Sequence, residues 1–240
     1  MSKARAKQTQ QHSWKAFFYY GIAMYKQANF VLAVAAFEKS ERIYEDDSQL
    51  HYNLGLAYFK IGNYQMTVEH MKKCINLDNR HPYAYNNLAF LFNIHMIYPE
   101  TLNICRQAKE FNRQGHGTHM HWAFAEFKEG NVVKAIKKIR KGVQKQPRSA
   151  ECWIVWGLIL RSAGKYKSAK HKFEKALRIN ARNVTAKAEL DLVNNLIHFD
   201  KILPNDCHLK LSQSSYQIAL GLGSSSSRTE EARRAQQEQR

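Results

Sequence analysis

Three histidines, His116, His119 and His121, fall close together, and imidazole nitrogens at short spacing can hold a transition metal. On a helix, His116 and His119 share a face while His121 points away from them. No cysteine or carboxylate supplies a clear further ligand, so helix capping and surface lining are the expectation, with no metal and no cofactor. The four cysteines, Cys74, Cys105, Cys152 and Cys207, are scattered, and none forms a CxxC pair. They read as free, buried thiols in a reducing compartment. No Ser/His/Asp or Cys/His arrangement and no phosphate-cradling glycine loop is apparent, and Gly221–Gly223 belong to a tail. The expectation is a protein without catalytic activity.

What remains is the chemistry of contact: aromatic faces, side-chain amides and lysines. Those groups work only if some scaffold sets them side by side. The chain has 240 residues, 44% of them apolar, which is enough for a substantial core. Four prolines and little strand-like alternation favour an all-helical protein. No apolar run is long enough to cross a bilayer, and no secretory signal pattern opens the chain. The formal charge of +17 points to an acidic partner, nucleic acid or an anionic surface, and says nothing of fold.

A repeat supplies the scaffold. The Gly62-Asn63 break recurs at Gly130-Asn131, two periods of 34 residues later. That register defines five units: 14–47, 48–81, 82–115, 116–149 and 150–183. The eighth position is always small (Gly21, Gly55, Ala89, Ala123, Gly157), which lets two helices approach closely. The seventh is always large (Tyr20, Leu54, Leu88, Trp122, Trp156). The twentieth is small (Ala33, Thr67, Thr101, Ala135, Ala169), and the twenty-fourth is apolar (Phe37, Met71, Cys105, Ile139, Phe173).

On these residues the chain resembles the tetratricopeptide repeat family, whose unit is a helix–turn–helix of this length. The resemblance covers residues 14–183, with a capping helix expected at about 184–200. It implies an all-α, right-handed solenoid of about five units. Two departures stand out. Tyr98-Pro99 lies near the turn of unit three, so its second helix is expected to start late. Glu126 in unit four stands where an aromatic is usual.

The resemblance further implies that the first helices line a concave groove, at the second, fifth, sixth, ninth, twelfth and thirteenth positions of each unit. Those positions give an apolar, aromatic stripe: Phe18, Ile22, Tyr52, Leu56, Phe59, Phe90, Phe124 and Phe127. Exposed apolar stripes mark binding surfaces. Asn53, Asn87 and His121 hold sixth positions. Family members that grip extended chains place asparagines there, so the resemblance implies that Asn53 and Asn87 orient a bound backbone. Lys60 and Lys128, at thirteenth positions, would give the stripe a basic edge. Phe18, Ile22, Tyr52, Leu56 and Phe90 occupy places where the family's clamp for a chaperone C-terminal carboxylate needs polar groups, which excludes that ligand.

Residues 1–13 are polar and basic and are expected to form a mobile tail. Residues 201–223 are apolar and out of register, and 224–240 read as a disordered polar tail. Charge is uneven. Acidic residues gather at Glu38–Asp47, and Lys134, Lys137, Lys138, Arg140 and Lys141 crowd the second helix of unit four. The leading expectation is an adaptor whose groove holds an extended or helical segment of another protein, with apolar and acidic residues. Two alternatives stay open. One is association of the basic second helices of units four and five (the latter with Lys165, Lys167, Lys170, Lys172, Lys175 and Arg178) with RNA or an anionic surface. The other is self-association of acidic start with basic end. The cytoplasm is the expected compartment, with nucleus and organelle left open.

Overall fold

The computed structural model describes residues 3–202 apart from 82 and 112–116, with side chains placed within 13–199. Two units are distinguished, residues 1–196 and residues 197–240. Among the described residues there are eleven helices and no strand: α1 (Lys3–Lys26), α2 (Phe30–Ile43), α3 (Ser48–Lys60), α4 (Tyr64–Leu77), α5 (Ala84–Ile94), α6 (Tyr98–Glu110), α7 (Thr118–Lys128), α8 (Val132–Lys145), α9 (Ala150–Ser162), α10 (Tyr166–Ile179) and α11 (Val184–Ile202). Each 34-residue unit holds one antiparallel pair, and the expected cap coincides with α11.

The turns explain the pairing. Every unit enters its turn through a residue in the left-handed region at its fifteenth position: Ala28, Gly62, Met96, Gly130 and Gly164, with φ between 59° and 81°. The backbone closes in the same way each time. Asn63 N–H donates to the Tyr58 carbonyl, Ile97 to Phe92, Asn131 to Glu126, and Lys165 to Leu160. These bonds satisfy carbonyls that the end of a helix leaves open. Starts are capped where the sequence provides a short polar side chain. The Asp47 carboxylate accepts from Leu50 N–H at 2.7 Å, and Asn183 Oδ1 accepts from Ala186 N–H at 2.8 Å.

Within a pair, the small eighth position receives the twenty-fourth. The Phe37 ring lies over Gly21, Met71 over Gly55, and Phe173 over Gly157. Leu54, Leu88 and Trp122, at seventh positions, are buried between units, while Tyr20 is 51% exposed. Thr67 and Thr101 bury their hydroxyls by donating to carbonyls one turn back, those of Asn63 and Ile97. Glu126 is accommodated by accepting from the Trp122 indole N–H at 3.2 Å. Val193 and Leu196 of α11 are buried, and Glu189 of that helix pairs with Arg161 of unit five at 3.0 Å.

Two expectations are revised. α6 begins at Tyr98, the same repeat position at which α4 begins, so the second helix of unit three does not start late. Pro99 falls in the first turn, where its missing N–H costs nothing. Helix α1 is continuous from Lys3, so the stretch read as a tail is helical from its third residue. Its Ala, Lys, Arg and Gln content and its lack of Gly and Pro before Gly21 favour that continuation. The expectations for 203–223 and 224–240 fall outside the described residues.

Candidate functional site

First helices meet first helices across unit boundaries: α1 touches α3, α5 touches α7, and α7 touches α9. These contacts put the first helices of units one and two, and of units three, four and five, side by side. Ring contacts between units step back three repeat positions from one unit to the next. Phe59 (twelfth position), Phe90 (ninth) and His121 (sixth) therefore form one diagonal row. Phe90 stands edge-on to Phe59 at 6.1 Å and lies 5.8 Å from the His121 ring. Phe90 is 41% exposed, Phe59 is half-buried and His121 is buried. Burial holds the His121 imidazole down at a pKa of about 4, so it is neutral at physiological pH.

A second junction ties unit two to unit three. Asn87 Nδ2 donates to the Tyr52 hydroxyl at 3.1 Å, and the Tyr52 ring lies 4.5 Å from His81 and 6.3 Å from Tyr83. Burial raises the Tyr52 pKa, with the Asn87 bond pulling the other way, so the phenol stays protonated. Asn53 bends back on its own helix and donates to the Gln49 carbonyl at 2.7 Å. Each asparagine amide thus gives a donor to the protein itself, and both side chains are half-buried.

Lysines lie along the stripe. Lys60 Nζ sits 5.9 Å from the Phe30 ring centre, and Lys128 lies 5.4 Å from Phe124 and 5.8 Å from Phe127. Ile22, Leu56, Phe124 and Phe127 are half-buried. Leu56 packs beside Tyr52 against the core shared by units two, three and four. Phe18 departs from the expected place. It is buried among Trp14, 6.1 Å away, and Phe37, 5.9 Å away, and offers little to a ligand. His116 lies outside the described residues. His119 is buried in the first turn of α7, with its ring near Lys138, Lys141 and Lys145.

One set of lining residues escaped the sequence reading. The seventeenth position, the first residue of each second helix, is Phe30, Tyr64, Tyr98, Val132 or Tyr166. Tyr25 meets Phe30 edge-on at 5.3 Å, Phe59 meets Tyr64 at 5.8 Å, and Tyr98 meets Phe124 at 6.4 Å. These rings extend the stripe around the turns. Their recurrence every 34 residues is visible in the sequence.

The basic patch has a different construction. Lys134, Lys137, Arg140 and Lys141 are exposed on α8, a helix without an acidic residue. Lys138 is folded over the buried Trp122 ring, 3.0 Å from its centre. Burial first, and then Lys109 and Lys141, lower its pKa to about 8. On the next pair, Lys172 lies over Trp156 at 4.2 Å and Lys175 over Trp153 at 4.7 Å.

The profile of the tetratricopeptide repeat matches residues 48–81 and again residues 150–183, which are units two and five to the residue. The chain carries tetratricopeptide repeats. A tetratricopeptide-repeat-containing protein of Methanocaldococcus jannaschii is 24% identical over 166 residues, 62% of this chain. The chain spans only 29% of that relative's length. Among solved structures, MamA from Desulfovibrio magneticus superposes with a TM-score of 0.63 at 16% identity, covering 71% of this chain and 97% of that one. YrrB superposes with a TM-score of 0.61 at 13% identity, covering 78% and 97%. At these identities the likeness is one of fold. The units between the two matched repeats, and unit one before them, follow the same helix pairing.

Proposed function

We propose that this protein is a non-catalytic adaptor whose groove, lined by α3, α5 and α7, holds an apolar segment of another protein within a larger assembly. The fold is one that generally serves protein–protein interaction, and one fold neighbour, YrrB, has an unusual peptide-binding site. The observation that carries the reading is Phe90. It stands 41% exposed between Phe59 and His121, and Lys60 and Lys128 lie over other rings, those of Phe30, Phe124 and Phe127. A partner residue laid on this row would cover aromatic surface that now meets water. Acidic residues in the partner would meet Lys60 and Lys128. The side-chain oxygens of Asn53 and Asn87 can accept from a partner's backbone N–H groups.

Pull-down from the native source with wild type and a Tyr52→Ala/Phe90→Ala/Phe124→Ala variant tests this reading. Partners retained by the wild type and lost by the variant are expected. Equal recovery by both proteins would contradict it.

The exposed cations of α8 favour a second reading, association with RNA or an anionic surface. Trp122 and Trp153 beneath the lysines are buried, and half-buried Trp156 is covered by Lys172, so none is an open platform for stacked bases. An electrophoretic shift that falls steeply with salt and disappears in a Lys137→Glu/Lys141→Glu variant would favour this reading over the groove.

A further inference from the structure

A second cluster lies away from the groove, at the seam between units one and two. His51 of α3 and His70 of α4 bring their Nδ1 atoms within 3.1 Å, with the two rings stacked. Both side chains are almost wholly buried, at 3% and 2% exposure. Glu41 of α2 places one carboxylate oxygen 3.7 Å from the His51 Nδ1 and 3.8 Å from the His70 Nδ1. Three helices from two repeats therefore bring one donor atom each within 4.8 Å of the others.

We propose that Glu41, His51 and His70 form a zinc-binding site that fastens unit one to unit two. The first support is metric. The three donor atoms define a triangle with sides of 3.1, 3.7 and 3.8 Å. The point equidistant from its corners lies about 2.1 Å from each, the bond length of zinc to imidazole nitrogen and carboxylate oxygen. These distances place all three donors within bonding reach of one ion.

The second support is the tautomer. His51 Nε2 lies 2.7 Å from the Glu45 backbone carbonyl, which can only accept, so Nε2 carries the proton. The neutral ring then presents a bare lone pair at Nδ1. A backbone carbonyl that fixes the far nitrogen of a histidine is the usual outer support of a zinc ligand. Two imidazole lone pairs cannot face each other at 3.1 Å without a proton or a cation between them. Zinc would take the place of the proton on His70 Nδ1, which moves to Nε2 of the same ring.

The third support is access and charge. A cavity of about 320 Å³, open to solvent, is lined by Glu38, Glu41, Tyr58, Glu69, His70 and Lys73 among others. It gives an ion a route in and leaves room for water as a fourth ligand. Glu38 accepts from the Tyr58 hydroxyl, and Lys73 is drawn to Glu69 at 3.1 Å as well as to Glu41 at 3.5 Å. When Glu41 turns its charge to the metal, Lys73 keeps Glu69. Two nitrogens and one carboxylate oxygen form a donor set that suits zinc better than calcium or magnesium.

The test uses the full chain stripped with chelator and titrated with zinc chloride, with cobalt(II) as a spectroscopic probe. Calorimetry should show one high-affinity equivalent, cobalt should give the visible absorption of a low-coordinate nitrogen–oxygen site, and zinc should raise the melting temperature. Glu41→Gln and His70→Asn should each weaken binding roughly tenfold or more and abolish the thermal shift, while His171→Asn on the exposed side of α10 should change neither. Glu41→Gln keeps shape and sits at a partly exposed position, so far-ultraviolet circular dichroism will confirm that it folds. Absence of zinc binding by the wild type, or equal binding by wild type and both variants, would overturn the proposal.

Discussion

The Phe173 ring fills the space beside Gly157. Its Cε1 atom lies 2.5 Å from where a Cβ on Gly157 would stand. Phe37 does the same to Gly21, at 2.6 Å. Where the second helix offers a smaller plug, the first helix carries alanine, as in Ala89 with Cys105 and Ala123 with Ile139. The pair conserves volume, and that keeps the helices of each unit at close approach.

Gly157→Ala should therefore destabilise unit five by about 1–3 kcal/mol, the usual cost of overpacking, even though alanine is the better helix former. Adding Phe173→Leu should restore part of the loss. Gly142→Ala is the control, because a Cβ there makes ordinary contact with the His119 Cβ at 3.4 Å. Urea melts of the four proteins check this. An unchanged midpoint for Gly157→Ala would contradict the packing described.

The turn at the fifteenth position predicts two stabilising substitutions. Ala28 and Met96 hold φ of 60° and 59°, a conformation that costs an L-residue about 1–2 kcal/mol. Both side chains are exposed, so little packing is lost on removal. Ala28→Gly and Met96→Gly should each raise stability by about 1 kcal/mol, and Gly62→Ala should lower it by a similar amount. Thermal melts of the single variants decide it.

Acid should weaken the fold through His119 and His121. Burial holds both imidazoles at about 4, and for His119 Lys145, Lys138 and Lys141 push in the same direction. In the unfolded chain they titrate near about 6.5. Between those values the unfolded chain takes up protons that the folded chain refuses. Stability is thus complete above about pH 6.5 and drains away as pH falls toward about 4. Among the described residues neither ring nitrogen of His119 has a hydrogen-bond partner, so His119→Leu should preserve stability at neutral pH and flatten the acid slope. Melting temperature against pH for wild type and variant measures both effects.

How much of this was legible in the sequence depends on the distance over which each feature is built. Gly62-Asn63 and Gly130-Asn131 are local turn chemistry repeated at one period, so the register and the helix pairs followed directly. Ala28 and Met96 occupy the same turn without the residue that advertises it, and only the backbone shows them. Phe18 was read by repeat position alone, but the neighbouring Trp14 and Phe37 draw it into the core. Pro99 was read as a delay because a proline inside a helix breaks it, whereas in a first turn it does no harm. Glu41, His51 and His70 come from three helices in two repeats, and only packing sets them together.

The groove itself is tested most directly by selecting peptides from a random library on the full chain and measuring their affinity by fluorescence anisotropy. The account predicts peptides with apolar residues and interspersed acids. They should bind the Tyr52→Ala/Phe90→Ala/Phe124→Ala variant roughly tenfold or more weakly, in line with the loss of more than one aromatic anchor, and should bind a Lys137→Glu/Lys141→Glu variant as well as they bind the wild type. Selected peptides that bind the triple variant as tightly as the wild type would contradict it.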